Sequence, residues 1–328
     1  MMKRRKFITL VGGAAAWPLA ARAQQPAMPV IGSLHGVSAA QWAARMTAFR
    51  SGLAGMGFVE RRNVLIEYRW ADGQFDRLPA LANDLVRRKV AVLFAGGSDV
   101  AVRSATSATK IIPIVFQTAS DPVEVGFVSS LSRPEGNVTG VTQLSVELTQ
   151  KQIELLHELA PGAIKIGLLV NPNNPRLTED VTERSEGAAR QLGLDIIVLK
   201  AGTANAIENA IEAAVQQRVG ALIIGNEAFL GTRAQQIAFL CLRHALPTIG
   251  ASRPTAQAGV LMSYGADPLE ISRLAGGYVG RILKGERPAD LPVQQPTKFD
   301  LVINLNTARA IGIVVPDKLL AIVDEVIE

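Results

Sequence analysis

Short apolar runs alternate with amphipathic stretches along the chain from residue 29 onwards. The run at 90–95 is continuous rather than alternating in its apolar character, whereas 75–88 carries leucines at helical spacing. Continuous apolar runs are typical of parallel strands that are covered on both faces. Because strand and helix follow one another with connections of crossover length, the pattern predicts an α/β protein with doubly wound parallel sheets.

This alternation occurs twice, which predicts two lobes. The first series has strands at 30–34, 63–70 and 90–95, a fourth beginning at Ile112, and a fifth at 137–143. The second series has strands at 164–170, 195–199, 221–225, 247–250, 259–265 and 301–305, followed by a terminal helix at 318–327. A chain of 328 residues is long for one compact domain and suits two.

The stretch from Ile112 to Gln143 links the two series. Its strand breaks into a polar loop at 118–121, and Asp121 and Pro122 are good residues for the cap and first turn of a helix. Ligands of doubly wound sheets bind outside the carboxyl ends of the strands, so this loop is a candidate ligand site.

Three strand-like or extended segments are predicted to join the lobes as a multi-strand hinge. They are 137–143, 259–267 and the proline-rich 291–296. The predicted N-terminal lobe is therefore 29–143 plus 266–291, and the C-terminal lobe is 144–265 plus 292–328.

The first 23 residues have the pattern of a cleavable export signal. A basic segment precedes a short apolar run, and Ala21-Arg22-Ala23 is a small-x-small cleavage pattern before Gln24. The segment RRKFI at 4–8 resembles a twin-arginine signal, and an ordinary Sec signal is the alternative. Either signal predicts a periplasmic protein.

The net charge of +5 comes entirely from this leader. Five of the basic residues lie in the first 23 positions, so the remaining chain carries as many acidic as basic residues. Nothing in it calls for nucleic acid as a partner. The single cysteine, Cys241, lies in an apolar helical pattern and is predicted to be buried.

Motifs for catalysis are sparse. His35, His157 and His244 lie far apart without metal-ligand spacing, and GGSDV at 96–100 lacks the last glycine of a nucleophile elbow. No glycine-rich phosphate-binding motif is present in the sequence. We therefore predict no catalytic residues, no metal and no cofactor.

Two long, irregular segments carry a resemblance to a known family. They are TASDPV at 118–123, continued by RPEGNVTGVT at 133–142, and KGERPADLPVQQPTKFDLVINL at 284–305. Both resemble the periplasmic solute-binding proteins of ABC importers, of the tryptophan/tyrosine type. The resemblance implies a type I periplasmic binding fold, a small-molecule ligand closed between hinged lobes, and a membrane permease as partner. We expect a monomer.

Candidate ligand-binding residues follow from what a zwitterion needs: donors for a carboxylate, an acceptor for an ammonium, and a wall for the rest. Hydroxyl and carboxylate groups at the first lobe's strand ends and amides at those of the second meet this need, although Asp121 and Asp99 also suit simple helix capping. The candidates are His35, Ser98, Thr118, Ser120, Asp121, Asn171, Asn173, Asn226, Glu227 and Tyr264.

Two function classes remain open from the sequence. The first is an exported protein that captures a small polar solute, such as an amino acid, and delivers it to a permease. The second is an exported enzyme or sensor on the same bilobed fold. Aromatic residues make up only 5% of the chain, so an aromatic ligand does not follow from the sequence.

Overall fold

The computed structural model describes residues 28–143 and 145–328, so the predicted export signal lies outside the described residues. The strands are β1 (Val30–His35), β2 (Leu65–Trp70), β3 (Val92–Gly96), β4 (Ile114–Thr118), β5 (Val138–Thr142), β6 (Lys165–Val170), β7 (Asp195–Lys200), β8 (Ala221–Ile224), β9 (Thr248–Gly250), β10 (Met262–Gly265), β11 (Asp300–Asn304) and β12 (Glu325–Ile327). The helices are α1 (Ala39–Gly55), α2 (Leu78–Arg87), α3 (Asp99–Ala108), α4 (Ser145–Leu159), α5 (Pro175–Gln191), α6 (Ala204–Gln216), α7 (Ala228–Thr232), α8 (Ala234–Arg243), α9 (Arg253–Gln257), α10 (Pro268–Leu283), α11 (Leu305–Ala310) and α12 (Asp317–Leu320).

Two separate sheets form the centres of two lobes. The first has the strand order β2-β1-β3-β4-β5 and is parallel throughout. The second has the order β12-β11-β10-β9-β8-β6-β7, and only the β10–β11 pair is antiparallel. The predicted class, α/β with two doubly wound parallel-sheet lobes, is confirmed. Within the described residues no helix is both long and apolar enough to cross a membrane.

Strands β3 and β4 are buried along their whole length, as their continuous apolar runs predict. Helix α10 covers this sheet together with α1, although it follows a strand of the second sheet. The two helices approach closely at small residues: a Cβ added at Gly276 would lie only 2.0 Å from the Phe49 carbonyl oxygen. Glycine is required there because a side chain would push α1 and α10 apart.

The chain passes between the sheets at three places: after β5, after β10 and before β11. The last of these is preceded by an extended segment that runs beside β5. Val293 N–H donates to Leu131 O, and Thr142 N–H donates to Gln294 O at 2.9 Å. Residues 293 and 294, assigned from the sequence to the second lobe, thus hydrogen-bond to the first.

Two sequence predictions are wrong. The predicted terminal helix at 318–327 is only the short α12, and the chain then forms β12 parallel to β11. The Asp324 carboxylate accepts from Leu301 N–H at 2.8 Å and fixes this return. The segment after Pro122 forms hydrogen-bonded turns rather than a helix, since Gly126 at φ 74° ends the turn at once.

Candidate functional site

The carboxyl ends of the strands of both sheets border a cavity between the lobes, which we call the interlobe cavity. It encloses about 390 Å³ of space, part of it open to solvent. Trp42, Arg45, Gln117 and Thr118 line it from the first lobe, and Asn174, Leu177, Asn226 and Glu227 line it from the second. A solute held here would contact both lobes at once.

Arg45 brings an unpaired positive charge to this cavity. Ser38 and Gln41 form a capping box that starts α1, and the helix then places Trp42 and Arg45 one turn apart on one face. The guanidinium carbon lies 4.2 Å from the centroid of the Trp42 ring. Burial lowers the pKa of Arg45 to about 10, and the carboxylates of Glu227 and Asp267 oppose this effect, so the side chain stays charged at neutral pH.

Glu227 brings a carboxylate with one unpaired oxygen from the other lobe. Its Oε2 caps α7 by accepting from Phe229 N–H at 2.8 Å and from Leu230 N–H at 3.3 Å. Its Oε1 is buried without a hydrogen-bond partner. Burial raises the pKa of Glu227 to about 7, opposed by the Asn171 side chain and the backbone N–H groups of Leu230 and Phe229. Near neutral pH, a bound cation would therefore favour the ionised form.

The predicted hydroxyl donors of the first lobe are already engaged. Thr118 and Ser120 donate to the two carboxylate oxygens of buried Asp99, and Ser98 caps α3 by accepting from Ala101 N–H. Burial raises the pKa of Asp99, and the two hydroxyl groups oppose the rise. This cluster fixes the loops at the sheet edge.

Two further groups of the first lobe provide unused donors instead. Gln117 accepts a hydrogen bond from Ser272 through Oε1, whereas its Nε2 is buried without a partner. The indole Nε1 of Trp42 is likewise buried and unpaired. Buried unsatisfied donors are rare in proteins, and both residues line the interlobe cavity.

The lobes are closed on each other and joined by direct polar contacts. Asn226 Nδ2 donates to Gln143 Oε1 at 3.0 Å, across the edge of the interlobe cavity. Arg184 of α5 donates to both carboxylate oxygens of Glu124, in the turn after β4, at 2.9 and 3.0 Å. Both contacts would have to break when the lobes separate.

A second cavity, the apolar cavity, continues into the second lobe. It too is partly open to solvent, and the centre of a water molecule can occupy only about 20 Å³ of it. Its walls share Leu177, Asn226 and Glu227 with the interlobe cavity. A third space, the mouth cavity, lies at the rim of the cleft between Phe75 and Phe229.

The ten residues predicted from the sequence separate into three groups. Ser98, Thr118, Asn226 and Glu227 line the interlobe cavity, and Asn171 and Asn173 line the mouth cavity. In the part of the chain that the structure describes, the other four lie outside the walls of these cavities. They are His35, Ser120, Asp121 and Tyr264.

These four have structural contacts of their own. His35 is fully buried, with its ring 4.6 Å from that of Trp70, and burial lowers its pKa to about 3. Asp121 Oδ1 accepts from Val123 N–H at 2.7 Å and caps the turn. The Tyr264 ring lies 6.2 Å from Phe299.

The residues that sequence reasoning missed are Trp42, Arg45, Gln117 and Leu177. The sequence contains a signal for two of them: Trp42 and Arg45 lie one helical turn apart near the start of the first helix after β1. Among the described residues no cluster of His, Cys, Asp or Glu could hold a metal ion.

Comparison with known proteins gives one family and several relatives. The family model described as ABC transporter substrate binding protein matches residues 32–327. The tyrosine-binding protein of Clostridioides difficile (strain R20291) is 25% identical over 264 residues, which are 80% of this chain and 75% of the relative.

Two solved structures have closely similar folds. A conserved domain protein from Vibrio cholerae O1 biovar El Tor strain N16961 superposes with a TM-score of 0.83 at 26% identity, covering 91% of this chain and 99% of that one. An ABC domain from Streptococcus pneumonia in complex with L-Trp superposes with a TM-score of 0.79 at 24% identity, covering 90% and 100%.

Proposed function

The chain belongs to the ABC transporter substrate-binding protein family, and we propose that it captures an amino acid between its lobes and delivers it to a membrane permease. In this proposal the ligand is a zwitterion that lies in the interlobe cavity. Its carboxylate pairs with Arg45 of the first lobe, and its ammonium group pairs with Glu227 of the second.

The observation that carries the proposal is the pair of unsatisfied opposite charges on facing walls of one cavity. Arg45 has no ion-pair or hydrogen-bond partner among the described residues, and Glu227 Oε1 is buried without one. Leaving such groups unsatisfied is costly, whereas a hydrogen bond to a charged partner contributes roughly 1.5–3 kcal/mol. A neutral solute would leave both charges unpaired.

The remaining donors fit the same ligand orientation. Gln117 Nε2 and the Trp42 indole N–H lie on the wall that carries Arg45, so they add donors for a carboxylate. The relatives at 24–25% identity whose names state a ligand bind tyrosine and L-Trp, whereas similar folds at 12–15% identity hold sugars. The ligand class of those relatives supports the same class for this chain.

We propose binding without turnover. Polar groups of the interlobe cavity serve hydrogen bonding and helix capping, and the catalytic motifs sought in the sequence are absent from it. We further propose that the protein is exported to the periplasm through the signal at 1–23 and acts as a monomer, with domain boundaries near those predicted. Three interlobe connections would then let the lobes open and close as rigid bodies.

The direct test is to identify the solute that copurifies with the native exported protein. The protein is unfolded in guanidinium, the released small molecules are identified by mass spectrometry, and the refolded protein is titrated calorimetrically with the identified solute. We expect an α-amino acid bound at one equivalent. Recovery of a neutral sugar that rebinds at one equivalent would contradict the proposal.

A further inference from the structure

The apolar cavity of the second lobe indicates what kind of amino acid is bound. This inference rests on the proposed function. We infer that the ligand's side chain is aliphatic, of about the size of leucine, and that it lies in the apolar cavity, so that this chain discriminates against the aromatic amino acids named for its relatives.

The walls of the apolar cavity combine five aliphatic side chains with polar ones such as Thr149 and Gln152, and the accessible surface between them is mostly apolar. Val170 of β6, Leu177 and Val181 of α5, Ile223 of β8 and Leu230 of α7 all line it. Their exposed fractions are 2, 6, 8, 1 and 0%. Because these side chains are closely packed, the free space among them is small, and it favours a small aliphatic group over a larger aromatic ring.

The position of the apolar cavity matches the expected direction of the side chain. Leu177, Asn226 and Glu227 line both this cavity and the interlobe cavity, so the two join at Glu227. An ammonium group paired with Glu227 Oε1 places the ligand's α-carbon at this junction. The ligand's carboxylate then extends towards Arg45, and its side chain extends past Leu177 into the apolar cavity.

The aromatic rings of the cleft lie elsewhere, which removes the usual partners for an aromatic ligand. The Trp42 ring is covered by the Arg45 guanidinium. Phe75 and Phe229 line the mouth cavity, in the company of the charged side chains of Asp72 and Arg233. An aromatic side chain in the apolar cavity would find no ring to stack on among the described residues that line it.

Calorimetric titration of the ligand-free protein with five amino acids tests the inference. The panel is L-leucine, L-isoleucine, L-valine, L-tyrosine and L-tryptophan. We expect the tightest aliphatic ligand to bind at least tenfold more tightly than either aromatic one, because even a single methylene in a fitted apolar pocket changes discrimination by roughly 10- to 200-fold. Tighter binding of tyrosine or tryptophan overturns the inference but leaves the zwitterion site intact. Failure of all five to bind overturns the inference, and if the other fifteen standard amino acids, titrated next, also fail to bind, the proposed function is overturned as well.

Variants of the cavity wall provide the second arm of the test. Leu177→Ala widens the junction, so we expect leucine to lose about tenfold in affinity while the preference shifts towards tyrosine and tryptophan. Leu242→Ala on α8, a leucine with 42% exposure, is the control and should leave all affinities unchanged. Should Leu177→Ala fail to fold, Val181→Ala tests the same wall. Equal losses for every amino acid would show that the side chain lies elsewhere and overturn the inference.

Discussion

The Arg45 guanidinium carbon lies 4.2 Å from the centroid of the Trp42 ring, yet the guanidinium has no carboxylate partner among the described residues. The ring face attracts the cation and fixes its position. This contact with the ring leaves the N–H groups of the guanidinium free for a ligand. An arginine held in this way is already oriented for a carboxylate, which reduces the entropy lost on binding.

Replacing Arg45 should abolish most of the affinity for an amino acid while leaving the fold intact. We expect Arg45→Met to weaken binding about 10- to 100-fold, because one charge-assisted interaction is lost. Arg50→Met is the matched control: Arg50 lies on the same helix but donates to Tyr68 at 3.3 Å, outside the cavity. Calorimetric titration of both variants makes the comparison. Equal affinities in the two variants would exclude Arg45 as the carboxylate partner.

Binding should become tighter as the pH rises through the pKa of Glu227, which burial raises to about 7. An ammonium ligand pairs only with the ionised carboxylate, so below this pKa we expect affinity to fall roughly tenfold per pH unit. Titrations between pH 5 and 8 should show this slope in the parent protein. Glu227→Gln should bind more weakly and lose the slope, and a slope retained in the variant would assign the proton to another group.

The same carboxylate should affect stability in the opposite direction. Because the pKa of folded Glu227 is about 7 and that of the unfolded residue is near 4.5, the folded ligand-free protein binds more protons between these values. Its free energy of unfolding should therefore decrease as the pH rises from 4.5 to 7, by on the order of 3 kcal/mol. Urea unfolding measures the free energy of unfolding of the parent and of Glu227→Gln at each pH. The difference between the two proteins isolates the contribution of the Glu227 carboxyl group.

The Arg184–Glu124 ion pair should influence lobe closure more than stability. Both side chains are roughly half exposed, so the pair contributes less than about 1 kcal/mol to folding. Since it joins the two lobes, Arg184→Ala should shift the ligand-free protein towards an open form with a larger radius of gyration. Arg176→Ala is the control, because it removes an ion pair with Asp180 on the same helix. Identical scattering profiles for the two variants would argue against a role in closure.

The contact between α1 and α10 should be highly sensitive to one methyl group. At Gly276 a Cβ would lie 2.0 Å from Phe49 O and 2.9 Å from Leu53 N, so Gly276→Ala should destabilise the fold by about 1–3 kcal/mol or more. At Gly277 a Cβ meets nothing within 4 Å, so Gly277→Ala should stabilise α10 by about 0.5–1 kcal/mol. Urea unfolding measures both. If both variants are equally stable, the packing of α10 on α1 is not as described.

The sequence was sufficient to predict the sheets because their strands are continuous apolar runs. It was misleading at the C-terminus, where the apolar residues of 318–327 were assigned to a helix although the last of them pair with β11. Short segments with little periodicity take their conformation from the neighbouring strand rather than from local preference.

The candidate site was only partly predictable for a related reason. Strand ends can be located from sequence, and two residues predicted on that basis, Thr118 and Glu227, line the interlobe cavity. Which polar groups remain free depends on contacts between distant segments. Asp99 takes the hydroxyl groups of Thr118 and Ser120, a pairing that no local pattern indicates. Arg45 was missed because it lies within a helix, one turn beyond the strand-end loops that sequence reasoning favours.

The most direct test of the zwitterion site compares three ligands on the ligand-free protein by calorimetric titration. They are the amino acid that binds most tightly, the amine that lacks its carboxylate, and the carboxylic acid that lacks its ammonium group. We predict one-to-one binding of the amino acid and at least tenfold weaker binding of each truncated analogue, because each leaves Arg45 or Glu227 unpaired. Binding of either analogue as tight as that of the intact amino acid would contradict the assignment of these two residues.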